Sequence, residues 1–440
     1  MTKCTSSDPV FQGPQSRKIH FDFDGGAISS NGGLLLMSQL DRKLGLTARI
    51  GKVLADFDGR QRGKVLHSAL SMTRQLIFGL IAGHEDLNDH SELGKDPLFQ
   101  TAAGSDEHLA HPSTLCRFEN NATPESNVAL SKLLVELFVE SFATPPRELI
   151  LDFDATDDPI HGMQEGRFFH GYYDHYCFLP LYVFCGDRLL TSYLRPANID
   201  AAKHAGAILK LLVKRLRREW PDVRIVFRGD SGFCRRRILS WCERNDVGYI
   251  VGLAKNNRLL ELAAELRSVA EKQYRKSGQK AKLFAEFQYQ AGTWKVGRRV
   301  IAKAEFGSLG ANNRYIVTNL PGDGRYLYEK VYCARGEMEN RIKEQQLDLF
   351  ADRTSCHGFV SNQFRLLLSS FAYVLMERFR ALLLRGTEFA EATCGSIRLN
   401  FIRIGAIIRR NTRSIYYSYS SACPIQNLFL AIARRILLLA

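Results

Sequence analysis

Asp154, Asp230 and Glu339 are the residues of this 440-residue chain whose types and settings best fit chemistry. Asp154 ends the run Leu149-Ile-Leu-Asp-Phe-Asp154, and Asp230 ends Val226-Phe-Arg-Gly-Asp230. Both runs read as buried strands. Glu339 lies in a charged helical segment with Tyr332, Arg335 and Lys343. Two carboxylates at strand ends and a third on a helix can hold a pair of hard divalent cations, the usual apparatus for cutting and joining phosphodiester bonds.

Each acid has a plainer reading when taken alone. Asp154 could open a turn into Asp157-Asp158-Pro159, and Arg-Gly-Asp230-Ser-Gly invites an Asx-turn. Glu339 could be a solvated helix charge paired with Lys343. Asp152 and Asp154 share one face of the strand, so spacing leaves either as a ligand. Thr156 follows as a further polar candidate. Tyr332, Arg335, Glu339 and Lys343 fall at i, i+3, i+7 and i+11, along one helix face. Such a face offers a carboxylate for metal and cations for phosphate oxygens, bidentate from Arg335 and point-like from Lys343. Arg235, opening a helix just after Asp230, is a weaker phosphate-contact candidate.

The elements that must position these groups follow from periodicity. Glu148–Thr156, Phe178–Phe184, Arg188–Leu194, Val223–Phe227 and Gly248–Leu253 read as strands. Gly186-Asp187 is the turn between the second and third. Asp200–Trp220 and Arg235–Asn245 read as amphipathic helices. Three strands, a helix, a strand, a helix and a strand make the order of an RNase H-like core. Residues 146–255 form its first part, 256–330 a β-rich insertion, and 331–385 its second part with the glutamate helix. Residues 1–17 read as a flexible tail, 18–145 as a mainly helical N-terminal domain and 386–440 as a basic C-terminal region. Ser113 is a candidate N-cap for a short helix over 112–119. The fold class is therefore α/β: an RNase H-like mixed-sheet core with a β-rich insertion, a helical N-terminal domain and a helical C-terminal region.

Composition narrows the partner. The net charge is +14, with globular apolar and charged fractions of 45% and 24%. That bias fits a polyanion such as nucleic acid. From His357 to Ala440 there are eleven Arg, no Lys and three Glu. Arg409, Arg410 and Arg413 precede Tyr416, Tyr417 and Tyr419, which reads equally as a nucleic-acid surface or a solvated helix. The sequence has no run of 18 apolar residues for a membrane span and no secretory signal core. Ten cysteines, none in Cys-x-x-Cys, read as reduced thiols of a cytoplasmic protein.

Tyr332-x-x-Arg335-x-x-x-Glu339, with Asp154-Ala-Thr, His161-Gly-x-Gln164 and Gly229-Asp-Ser-Gly232, resembles the DDE transposases of bacterial insertion sequences. Glu85-Asp-Leu-Asn-Asp-His90 and Pro112–Asn120 extend the resemblance, which spans roughly residues 18–420. The family pattern carries Lys seven positions after the Glu, where this chain has Gln346. The resemblance implies catalysis and metal binding by Asp154, Asp230 and Glu339 with two Mg²⁺ ions, Mn²⁺ being an alternative. It implies cut-and-paste transposition on double-stranded DNA, with binding to terminal inverted repeats and to target DNA. A homodimer in the DNA complex and a nucleoid-associated location in a bacterial cytoplasm go with it. Trp294 in the insertion is a candidate for holding a flipped base, against simple core packing. Two alternatives remain at this stage: another RNase H-like nuclease, or a catalytically inactive DNA-binding relative.

Overall fold

The computed structural model describes residues 10–60 and 65–439. Cys4 and the first nine residues of the expected tail lie outside them. The chain divides into two compact units. One combines Met1–Gly51, Arg60–Leu115 and Phe379–Ala440; the other combines Lys52–Gly59 and Cys116–Arg378.

The second unit is organised by a nine-stranded mixed sheet. Its five core strands are Glu148–Ala155, Leu181–Cys185, Arg188–Tyr193, Arg224–Gly229 and Gly248–Leu253. In space they run third, second, first, fourth, fifth. The first, fourth and fifth are parallel, and the second is antiparallel to the first. Along the chain, three core strands, a helix, a strand, a helix and a strand follow one another as the sequence pattern indicates.

Alternation assigns the two faces of the first strand. Leu149, Leu151 and Phe153 point into one core layer, where Leu209 and Leu216 of helix Ala205–Glu219 and Leu239 of helix Arg236–Arg244 cover them. Ile150, Asp152 and Asp154 therefore point to the opposite face. There Val226 and Ile250 of the neighbouring strands pack against Leu327 and Tyr328, which begin the glutamate-bearing helical segment. The apolar runs of the fourth and fifth strands are continuous because both of their faces are covered.

The segment 256–330 is mixed. Helices Asn257–Leu262 and Ala264–Ser277 come first, then strands Ala281–Tyr289, Arg298–Gly307 and Arg314–Thr318. These strands do not make a sheet of their own. Arg314–Thr318 pairs antiparallel with the fifth core strand, Ile250 opposite Thr318, and the other two continue outward. Backbone groups on the outer edge of the fifth strand are thereby satisfied.

The first unit is mostly helical, with Leu34–Leu44, Leu46–Ala55 and Ala69–Ala82 as its leading helices. Val10–Gln12 and Lys18–His20 pair as a short hairpin. Pro112–Asn120 is helical, but Ser113 is its second residue rather than its cap. The His111 ring accepts the Ser113 N–H at 3.3 Å, because Pro112 already sets the first helical position. Residues around Arg409 to Tyr419, left open as a helix or a nucleic-acid surface, form a β-hairpin of Ala406–Arg410 and Ile415–Tyr419. Their β-branched and aromatic content favours strands. Among the described residues no helix is long and apolar enough to cross a membrane.

Arg195 fixes the crossover from the third strand to the following helix. It is fully buried, and its guanidinium donates to the carbonyls of Leu179, Ala201 and Lys203 at 2.7–2.8 Å. Burial lowers its pKa to about 10, so it remains charged at neutral pH. Arg195→Met should leave three buried carbonyls without donors and cost about 3 kcal/mol or more, read as a lower urea midpoint. An unchanged midpoint would show that the loop holds itself without the guanidinium.

Candidate active site

The first and fourth core strands pair in parallel, with Asp152 opposite Arg228 and Phe153 opposite Gly229. One residue further along, Asp154 is still in its strand and Asp230 begins the turn that follows the other, so both carboxylates lie at neighbouring strand ends. The two aspartates of the first strand, Asp152 and Asp154, meet different partners. Asp152 is buried against Arg228, whose Nη2 donates to Oδ2 at 2.6 Å and whose Nε donates to Oδ1. The same guanidinium also donates to the Val331 carbonyl, tying the strand to the start of the glutamate helix. Both Asp152 oxygens are thus taken by Arg228, whereas Asp154 Oδ1 accepts the Ala155 N–H at 3.0 Å and its Oδ2 faces Arg335.

Arg335 joins the other two elements. Its Nη1 donates to Asp154 Oδ2 at 2.9 Å and its Nη2 to Glu339 Oε1 at 2.8 Å. One guanidinium therefore bridges the strand-end aspartate and the helix glutamate. Asp230 Oδ1 accepts the Gly232 N–H at 2.8 Å. The Asx-turn reading is correct for that oxygen and compatible with a site role for the carboxylate. Burial pushes the Asp154 carboxyl up to about 6; Arg335 pulls it back, while Asp230 and Glu339 push it further up. The contributions of Asp230 and Glu339 place all three acids within electrostatic reach of one another.

The glutamate-bearing segment is not one regular helix. Leu327–Tyr332 is a widened turn, Cys333–Arg335 a tightened one, Gly336–Lys343 is α-helical, and Glu344–Asp348 widens again. Such alternations cluster at functional sites because they re-aim side chains. Here the widened turn carries Tyr332 toward Gly252. A Cβ at Gly252 would lie 2.7 Å from the Tyr332 hydroxyl and 2.8 Å from the Ser231 nitrogen. Gly252 therefore lets the phenol and the Asp230 turn approach together. Sequence reasoning passed over Gly252, although a glycine inside an apolar strand signals close approach.

The remaining candidates are placed as follows. Lys343 is exposed. The Thr156 backbone N–H bonds the Pro180 carbonyl at 3.4 Å. Arg235 is ion-paired with Asp200 at 2.6 Å. Trp294 is buried, edge-on to Tyr289, with the Arg298 guanidinium 4.7 Å over its ring. Its face is covered by this packing. Gln346, at the family's lysine position, donates from Nε2 to Asp158 Oδ1 at 2.8 Å and to the Asp157 carbonyl at 3.0 Å. Asp158 is fully buried, and burial raises its pKa well above the usual range. Burial disfavours the ionised form of Asp158, and the Gln346 amide adds no charge beside it.

Three carboxylates supply the hard oxygen donors that divalent cations take. Among the described residues, no three His, Cys, Asp or Glu side chains are gathered closely enough to hold one ion as they stand. Arg335 lies between Asp154 and Glu339 and supplies the positive charge there. The donor set fits such ions in its chemistry, and Arg335 must yield Asp154 and Glu339 to them.

The fold and these side chains define a mixed α/β protein with an acidic cluster at adjacent parallel strand ends. The chain belongs to the transposase DDE domain group 1 family, whose sequence profile matches residues 11–440. Among solved structures it is similar to piggyBac transposase in a synaptic complex with hairpin DNA. That similarity has a TM-score of 0.44 and 10% identity, covering 84% of this chain and 79% of the other. No curated protein sequence matches the chain.

Two outcomes follow from the site's electrostatics. The neutral Asp154 carboxyl stabilises the fold below pH 4, and that stability is lost as pH rises to about 6. Unfolding free energies from urea titrations in EDTA should therefore fall for wild type relative to Asp154→Asn across this window, by up to about 3 kcal/mol. A constant difference between the two proteins would refute the raised value. Gln346→Ala should cost about 1–3 kcal/mol by orphaning Asp158, whereas Gln346→Lys keeps a donor and most of the stability. Equal losses in both variants would exclude the donor role.

Proposed function

We propose that this family member is the transposase of a bacterial insertion sequence. It binds the terminal inverted repeats of its element, cuts the DNA there and joins the freed ends to target DNA. The observation that supports this reading is Asp154 and Asp230 at neighbouring strand ends, with Arg335 bridging Asp154 to Glu339.

The three carboxylates would hold two Mg²⁺ ions, or Mn²⁺ in their place. Bound there, the pair supplies activation of the attacking oxygen and stabilisation of the leaving oxygen. Asp154, with its pKa near 6, is ionised at neutral pH and ready to act as a ligand. Arg335 keeps the acids from repelling one another until then. Once released, its planar fork suits a DNA phosphate. Lys343, on the exposed side of the same helix, offers a second cation to the backbone. Tyr332 fixes the helix against the Asp230 turn through Gly252.

The chemistry is in-line displacement at phosphorus. In hydrolysis, water attacks and the 3′-oxygen leaves with its electron pair. In strand transfer, that 3′-hydroxyl loses its proton and attacks a target phosphate, whose own 3′-oxygen leaves with the bonding pair. Two ends must be processed together, which favours a homodimer on DNA.

The test is cleavage of labelled DNA carrying the element's ends, in Mg²⁺ and in EDTA. Wild type should cut only with metal, and Asp230→Asn should lose activity by about a hundredfold or more. Metal-independent cutting, or full activity in the variant, would remove Asp230 from the site. Binding of the ends without any cutting would identify an inactive relative instead.

A further inference from the structure

The first unit contains a small sheet that the carboxylate site does not use. Its strands are Ile28–Ser29, Ala406–Arg410 and Ile415–Tyr419, with Ala406–Arg410 in the middle. Alternation separates its faces cleanly. Ala406 and Ile408 are buried. Arg410 turns inward with them, donating to Gln100 Oε1 at 3.1 Å and Thr101 Oγ1 at 2.7 Å. Tyr419 is also committed, its hydroxyl donating to the Gly32 carbonyl at 3.0 Å and its ring packing on Phe429.

The other face is open. Arg409 and Tyr416 stand directly opposite each other on paired strands, beside the row Ile28, Ile407 and Ser418. Side chains so paired lie about 5 Å apart at Cβ. Tyr416 is 52% exposed and Ile28 59%. Among the described residues, no hydrogen bond or ion pair engages the Arg409 side chain or the Tyr416 hydroxyl. Arg413 is exposed in the connecting turn, which Asn411 shapes by accepting the N–H groups of Arg413 and Ser414. The local charge is one-sided. After Glu391 the chain has seven arginines and no Asp or Glu.

We propose that this open face binds unpaired DNA. Tyr416 stacks on a base, Ile28 and Ile407 extend the apolar floor, and Arg409 and Arg413 contact the phosphates. A flat aromatic on a sheet, flanked by cations, is the arrangement that accepts a single strand without reading its sequence. A blunt duplex presents no free base face and would leave Tyr416 idle. The inference rests on the DNA-acting function above and gives the first unit a direct part in it. Unpaired strands arise wherever DNA ends are cut and opened, so the face suits that stage of the reaction.

Full-length protein in EDTA would be titrated into fluorescein-labelled oligo(dT) and a blunt duplex of equal length, read by anisotropy. Tyr416→Ala should weaken oligo(dT) binding by about fivefold or more and leave the duplex unchanged. Tyr416→Phe should retain binding, which separates stacking from loss of fold. Arg409→Gln should flatten the salt dependence for oligo(dT) by about one unit of log–log slope. Wild-type binding by Tyr416→Ala would overturn the proposal, and so would an equal loss on the duplex. A wild type that cleaves element ends yet does not bind oligo(dT) overturns this inference alone. One that neither cuts nor binds DNA overturns the functional reading with it.

Discussion

Everything at the site depends on balancing negative charge at the ends of two parallel strands. Parallel pairing of the two strands brings Asp154 and the Asp230 turn to neighbouring strand ends. Glu339 arrives from the helix above them. Burial raises the Asp154 pKa most, and the negative charges of Asp230 and Glu339 add to it. Arg335, on the same helical segment as Glu339, contacts two of the three acids. The resting protein thus carries an internal counter-ion between two of these acids.

The packing around this point serves to hold the helix at the right height. Leu327 and Tyr328 pack on Val226 and Ile250, Arg228 reaches from the fourth strand to the Val331 carbonyl, and Gly252 admits the Tyr332 phenol. These contacts precede Glu339 in the chain and act before the regular helical turns begin. The widened and tightened turns between residues 327 and 335 then set the rotation at which Arg335 and Glu339 emerge. Gln346 closes the segment against the buried Asp158.

Much of this was legible in the residues. The five core strands were visible because alternation and continuous apolar runs record which faces are buried. Strand Gly248–Leu253 has the bounds that pattern gives, and Gly186-Asp187 marks the hairpin turn. The Tyr332, Arg335 and Glu339 phasing survives the irregular turns well enough for Arg335 to meet Glu339. Less legible were the features set by long-range partners. Asp152 and Asp154 are equivalent in periodicity, and only the pairing with Arg228 separates them. Trp294 could not be assigned to packing without Tyr289 and Arg298 beside it. The strands after residue 280 gave no sign that they would extend the core sheet, since edge pairing depends on which backbone groups are left free elsewhere. The basic C-terminal segment read as helix or binding surface because Arg and Tyr are permissive in both.

The sequence by itself determined the acidic residues, their order, the strands and helix that carry them, and the positive bias suited to DNA. These are local properties, written in side-chain type and period. Tertiary structure alone decided which aspartate meets Arg335, where Gly252 lets Tyr332 in, how Gln346 answers Asp158, and which cations of the hairpin face solvent. Each of those depends on distances between residues far apart in the chain, and hydrogen-bond register and close packing, rather than periodicity, set such distances.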